Sequence, residues 1–285
     1  MKLAIITGAS GGMGQEEVRS VAKAGYEVVM ACHVMEKARP VYEKLKAELG
    51  SQITLMHLDL ASFEEIRKFV EEIKAKYSHI DLLLNNAGIL CHSPQQTAEN
   101  IERTVGVNYL GHYLLTNALL PLMGNGTRIV NMVSLTYKYG KISENLFTPV
   151  DAQHFNRFTV YSDSKLAFFY FTLDAAEAWR EKGIYVNCAD PGIVSTNIIK
   201  MGNKVVDTLC DIFFRPLIKT PKQGASTMLH LALSDSAQNL SGECFKNCKK
   251  TKPKASIVNS PQRELLRKMT KEILEKHHVD WHIEK

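Results

Sequence analysis

Tyr161 and Lys165 stand four residues apart in the run Tyr161-Ser162-Asp163-Ser164-Lys165, a spacing that puts phenol and ammonium on one face of a helix. A fixed cation beside a phenol favours the phenolate and draws its pKa from about 10 toward working pH. Tyr161 could then give or take a proton. Such a pair occurs by chance in many helices, and its weight comes from other positions. Ser134 follows the apolar run Arg128 to Val133, where its hydroxyl could donate to a developing negative oxygen. Asn108, between Val107 and Tyr109-Leu110, is a peculiar polar choice unless it meets a partner. A satisfied core asparagine reads equally well from spacing alone.

A second group of residues suits a phosphate. Thr7-Gly8-Ala9-Ser10-Gly11-Gly12-Met13-Gly14 ends an apolar strand and opens a helical pattern. Glycines there let the backbone turn sharply and approach a pyrophosphate, whose charge meets the amides at the helix N-terminus. The spacing is G-x-x-x-G-x-G rather than G-x-G-x-x-G, so the placement between strand and helix carries the reading. Asn85-Asn86-Ala87-Gly88 follows another apolar strand, where Asn86 is at least half scaffold and partly ligand. The second strand ends Met30-Ala31-Cys32-His33-Val34 with no Asp or Glu at positions 31 to 35. A carboxylate there is what usually selects NAD(H), so NADP(H) is favoured over NAD(H). His33 would face the 2′-phosphate, with Lys37 or Arg39 as the alternative, and the preference should grow as pH falls.

These residues need elements to hold them. Short β-branched runs, Leu3 to Thr7, Glu27 to Ala31, Ile53 to Leu58, Leu82 to Asn85, Arg128 to Val133 and Ile184 to Ala189, alternate with helical patterns. That alternation predicts an α/β fold, a Rossmann-type doubly wound parallel sheet flanked by helices, in a single domain over 1–285. Ser62 and Glu65 read as a capping box ahead of Phe63, Ile66, Phe69, Ile73 and Tyr77. Pro40 sits early in a segment with Val41, Leu45 and Leu49 on one stripe, which reads as a helix stopped by Gly50. A last strand falls near Ser241 to Phe245. A C-terminal tail, about 246–285, follows with an amphipathic helix from about Pro261 to His277.

Composition narrows the partners. The chain has 285 residues, 45% hydrophobic, with net charge +5, and its basic residues are scattered apart from Lys246, Lys249, Lys250, Lys252 and Lys254, best read as a solvated loop. No nucleic-acid partner is expected. Six cysteines in a chain this long suit reduced thiols and a cytoplasmic setting. Cys244 and Cys248 lack a second pair at zinc spacing, and His277, His278 and His282 do not converge, so no metal is expected. The N-terminus reads as a strand and no apolar run reaches about 18 residues, so no membrane span is expected, although an apolar stretch from Val205 to Ile218 allows peripheral membrane contact.

Taken together the motifs resemble the short-chain dehydrogenase/reductase family, over residues 1 to 250. They appear in order: Thr7-Gly8…Gly12…Gly14, Asp59, Asn85-Asn86-Ala87-Gly88, Asn108, Ser134, Tyr161…Lys165 and Pro191-Gly192…Thr196. Several stretches, Val107 to Thr116, Thr220 to Ala225 and Ser241 to Cys248, are similar to the retinol dehydrogenase-like branch. The resemblance implies a tetrad in which Tyr161 is the acid/base, Ser134 positions the carbonyl, Lys165 holds a ribose and Asn108 anchors a relay water. It implies cofactor contacts from Gly8, Ser10, Gly12, Met13, Gly14, His33, Asp59, Leu60, Asn86, Ala87, Gly88, Tyr161, Lys165, Pro191, Gly192, Val194 and Thr196. The expected activity is hydride transfer between a nicotinamide and a lipophilic ketone, aldehyde or alcohol, under a lid at about 195–220, in a dimer or tetramer. A catalytically silent dinucleotide sensor and a sugar-nucleotide epimerase are the competing readings. The intact tetrad disfavours the first, and the length leaves little room for the second's larger substrate domain.

Overall fold

A computed structural model describes residues 1–194, 219–280 and 283. Its strands are β1 (Lys2–Thr7), β2 (Tyr26–Cys32), β3 (Ile53–His57), β4 (Ile80–Asn85), β5 (Met123–Met132), β6 (Tyr185–Asp190), β7 (Cys244–Lys246) and β8 (Lys249–Lys250). They form one sheet in the order β3-β2-β1-β4-β5-β6-β7-β8. All neighbours are parallel except β7 and β8. Helices α1 (Gly12–Lys23), α2 (Met35–Leu49), α3 (Phe63–Lys76), α4 (His112–Leu119), α5 (Arg157–Ala178), α6 (Pro221–Leu233) and α7 (Gln262–Lys276) cover both faces.

The strands are apolar without alternation because both faces are covered. Leu3, Ala4, Ile5 and Ile6 are buried, as are Leu82, Leu83 and Leu84. Successive side chains feed two cores. Ile5, Leu83 and Ile129 pack under α3, α4 and α5, while Ala4, Ile6, Leu82 and Val130 pack under α1, α2 and α6. This is the doubly wound arrangement read from the sequence. The sheet order reverses between β1 and β4, and such a reversal opens a crevice beyond the strands' carboxyl ends.

Helix α5 is buried over most of its circumference. The sheet lies on one side of it and the C-terminal α7 on the other. Asp174 of α5 takes hydrogen bonds from Arg267 at 2.6 and 3.0 Å and from Arg263. Tyr109 Oη meets Thr270 Oγ1 at 2.7 Å, and Gln262 Oε1 accepts from the Ile142 amide at 2.6 Å. The tail is therefore part of the core's second layer.

Several boundaries differ from the sequence reading. Ser62 accepts from the Glu65 amide at 3.3 Å, but no return bond from the Glu65 side chain is formed, so the capping box is half made. A full box stands instead at Thr220 and Gln223, ahead of Pro221. The last parallel strand begins at Cys244 rather than Ser241. The basic run turns back on it through Asn247 and Cys248, both at positive φ, as the two-residue strand β8. Lys246 reaches Asp190 at 3.5 Å and Lys250 reaches Glu243 at 2.5 Å, so part of that run is paired. No helix among the described residues is long and apolar enough to cross a membrane. The lid expected at about 195–220 and Thr196 lie almost wholly outside the described residues.

Candidate active site

The glycine turn is set by close packing. Gly8 has φ +65°, and a Cβ there would come within 2.9 Å of the Ala87 backbone; one on Gly14 would come within 2.5 Å of the Gly8 carbonyl oxygen. Both positions exclude any larger residue. Helix α1 then starts with Gly11 as its N-cap, with no side-chain cap and no acidic residue in the first turn. Its leading amides are thus left to an external acceptor, which is what a dinucleotide pyrophosphate supplies. The residues fit such a group. Met13 packs under α6 beside Gly224 and Val194, and Gly12 against Pro221, so α6 backs the turn. Ser10 takes a bond from Gln15 Nε2 on its carbonyl at 2.9 Å.

The β4 loop is tied to this turn. Asn86 Nδ2 donates to the carbonyls of Thr7 at 2.9 Å and Gly8 at 3.4 Å, and the Ala87 amide donates to Thr7 Oγ1 at 3.0 Å. Asn86 thus fills the scaffold part of its expected role, and Thr7, which opens the glycine motif, is the hub. Its hydroxyl also meets His112 Nε2 at 3.1 Å. Burial, helped by the charge of Lys165, lowers His112 to about 3, so this imidazole is neutral near pH 7.

Gly88 joins the loop to the tetrad, since a Cβ on it would lie 3.4 Å from Asn108 Oδ1 and 3.6 Å from Lys165 Nζ. Asn108 sits in a π-helical turn, Gly106–Gly111, just before α4. Its Oδ1 accepts from the Ile89 amide at 2.8 Å, while Nδ2 donates to the Ile89 carbonyl at 2.9 Å and to Ser164 Oγ at 3.1 Å. Asn108 therefore meets partners from both the β4 loop and α5. Lys165 is 2% exposed and donates Nζ to the Met132 carbonyl at 2.8 Å. Ser134 lies two residues beyond β5, capping a 3₁₀ turn by accepting from the Thr136 amide at 3.4 Å.

The four tetrad positions thus converge at the carboxyl edge, but their charges run opposite to the sequence reading. Burial pushes the Tyr161 phenol up to about 12, a rise opposed by its hydrogen bond with the Ser134 hydroxyl. Burial likewise brings Lys165 down to about 7. The expectation of a phenol lowered by its neighbouring lysine does not hold here. Lys165 is itself stripped of solvent, and Nζ lies 5.6 Å from the Tyr161 ring centroid.

At the far edge, His33 Nε2 is 3.2 Å from Asp59 Oδ2, and Asp59 Oδ1 accepts from the Ala61 amide at 2.8 Å. Asp59, two residues beyond β3, thus places a carboxylate beside His33 although positions 31 to 35 hold none. Leu60 is buried under the π-helical turn, its carbonyl against Gly111. On the other side, Gly192 has φ +78° and donates to Asp190 Oδ1 at 2.9 Å, and the Pro191 carbonyl accepts from Lys219 Nζ at 2.8 Å. Val194, 3% exposed, bridges to Lys219.

Sequence reasoning also missed a cavity of about 270 Å³ lined by His92, Phe155, Asn156, Arg157 and Phe158. Arg157 and Phe158 precede Tyr161 by four and three residues on α5, so helical spacing alone places them over its face. Leu135, Tyr139, Phe158 and Ile193, neighbours in sequence of tetrad or turn residues, are exposed apolar side chains.

The family model described as short chain dehydrogenase matches residues 2–205. Retinol dehydrogenase 11 of Mus musculus is 35% identical over 251 residues, covering 87% of this chain and 78% of its own length. Retinol dehydrogenase 12 of Homo sapiens is 32% identical over 279 residues, covering 96% and 86%. Among solved structures, a short chain dehydrogenase from Burkholderia cenocepacia in complex with NADP superimposes with TM-score 0.69 at 23% identity. That match spans 86% of this chain and 95% of the other.

Proposed function

The chain belongs to the short-chain dehydrogenase family, in the retinol dehydrogenase-like branch, and we propose that Tyr161 is the acid/base of its reaction. As a member it is an oxidoreductase acting on CH–OH or C=O groups with a nicotinamide dinucleotide. The bound dinucleotide supplies or accepts the hydride. In reduction, the neutral Tyr161 phenol protonates the substrate oxygen as negative charge develops on it. Ser134, whose hydroxyl lies close enough to that phenol to oppose the rise in its pKa, orients the same oxygen. Lys165, whose Nζ stands beside Gly88 and donates to the Met132 carbonyl, would hold a cofactor ribose. Asn108 holds a relay site between the Ile89 backbone and Ser164.

The observation that carries this reading is the contact chain from Gly8 through Ala87 and Gly88 to Asn108 and Lys165. It gives the phosphate turn and the proton-transfer residues one common frame. The same chain disfavours a silent sensor, which has no need of an intact Ser134, Tyr161 and Lys165.

The substrate is lipophilic and bulky in this reading. Phe155 and Phe158 line the cavity beside α5, and Leu135, Tyr139 and Ile193 present apolar surface near Ser134 and Gly192. The retinol named in the relatives is of that kind. NADP(H) is preferred in this reading, with His33 as the donor to the 2′-phosphate and Asp59 beside it at 3.2 Å. The test is to follow NADPH and NADH oxidation with retinaldehyde, steroid ketones, quinones and short aldehydes. Turnover confined to the short polar carbonyls contradicts the substrate reading, and no turnover of any carbonyl contradicts the assignment of Tyr161.

A further inference from the structure

Cys188 and Cys244 are direct partners in the register of the parallel strands β6 and β7. Parallel neighbours in a sheet lie about 4.8 Å apart, inside the roughly 4.4–6.8 Å between Cα atoms that a disulfide spans. Both side chains point to the same side of the sheet, since both belong to the core under α5, whereas Ala189 and Phe245 belong to the opposite core. Both are free thiols and both are buried, at 0% and 3% exposure.

The two thiols are not equivalent. The neighbouring Cys188 side chain draws the Cys244 thiol below its ordinary range, with Thr251 assisting, while burial drives Cys188 far up. Cys244 is therefore the thiol that ionises more readily of the two. Cys244 also lines a cavity of about 20 Å³ shared with Leu135, Lys138, Asp190, Lys246 and Thr251, of which Leu135 and Lys138 are exposed. Strand β7 is three residues long and lies beside the two-residue edge strand β8. A short edge of this kind opens locally at low cost.

We propose that Cys188 and Cys244 form a redox-sensitive dithiol, a modification site that closes to an intrachain disulfide by exchange with a small-molecule disulfide. The Cys244 thiolate attacks one sulfur of the small disulfide, forming a mixed disulfide and releasing one thiolate. The Cys188 thiol then gives up its proton and attacks the Cys244 sulfur, forming the Cys188–Cys244 bond and expelling the second small thiolate. Two protein thiols are oxidised, one small disulfide is reduced to two thiols, and the released protons end on them. The link closes the loop 189–243, which contains the segment assigned over the active site from the sequence, and shortens the unfolded chain's freedom there.

The probe is oxidised glutathione, added to the full-length protein, with alkylation under denaturing conditions and peptide mass mapping. The expected product is a Cys188–Cys244 linked peptide, two fewer alkylated thiols and a melting temperature raised by several degrees, all reversed by dithiothreitol. In Cys188→Ala, glutathione should instead remain attached to Cys244. Undiminished alkylation of both cysteines in the wild-type protein, or a Cys244–Cys248 link in place of the expected one, overturns the proposal. So does glutathione retained on Cys188 in Cys244→Ala.

Discussion

Lys165 donates its Nζ to the carbonyl oxygen of Met132 at 2.8 Å, from a position buried between α5 and the end of β5. That bond fixes where the ammonium sits, and burial lowers it to about 7 from an ordinary value of 10.5. The unfolded chain therefore holds this proton more strongly than the folded one. The penalty is complete below about pH 7 and fades as pH rises toward 10.5. Lys165→Met should be more stable than wild type at pH 6.5, on the order of a few kcal/mol, with the gap closing by pH 9.5. It should also lose cofactor affinity and turnover together. Urea unfolding at both pH values checks this, and an equal gap at both contradicts it.

Glu17 is a second buried titratable group, with both carboxylate oxygens buried and without hydrogen-bond partners among the described residues. Burial raises it from 4.5 to about 8. Here the folded state holds the proton more strongly. Stability linked to it is full below about pH 4.5 and lost as pH rises through 8. Glu17→Met should gain on wild type by on the order of a few kcal/mol between pH 5 and pH 8.5. Flat stability differences across that range would show that Glu17 finds solvent or a partner.

The C-terminal helix should be needed for folding, not for chemistry. Without α7, Asp174 would lose Arg263 and Arg267, and Tyr109 would lose Thr270. A buried charge left without its partner costs roughly 3–5 kcal/mol. Truncation after Asn259 should give an insoluble or cold-melting product, whereas Lys268→Ala, on the exposed face, should change stability little. Normal solubility and melting of the truncated chain would contradict this.

Cofactor choice should depend on His33 and Asp59 together. NADPH should bind more tightly than NADH, with His33 donating to the 2′-phosphate. His33→Arg should strengthen NADPH binding, because guanidinium offers phosphate a permanently charged fork. Dissociation constants of both cofactors for the two proteins check it. Tighter NADH binding by the wild type would refute the preference.

The strands, the glycine turn and the tetrad spacing were legible because each depends on local pattern. Apolar runs mark buried parallel strands, and Gly8 and Gly14 stand where only glycine fits. What stayed hidden depends on contacts between distant segments. Asp59 beside His33, Thr7 beneath Ala87 and His112, and Asp174 under α7 pair residues 26 or more positions apart. The direction of the Tyr161 shift was misread for the same reason, since spacing reports proximity and says nothing of desolvation. Arg157 and Phe158 were readable in principle from their distance to Tyr161.

The central claim is that Tyr161 moves the proton while the glycine turn and Lys165 do most to hold the dinucleotide. The most direct test is Tyr161→Phe, which keeps the ring and removes only the hydroxyl that Ser134 contacts. Single-turnover reduction of a carbonyl that wild type accepts should slow by a factor of about 10² to 10⁴, the range for a lost general acid. NADPH dissociation, measured on the same samples, should change less than about threefold, since the glycine turn and Lys165 are untouched. Reduction by the variant at a rate close to wild type would contradict the assignment.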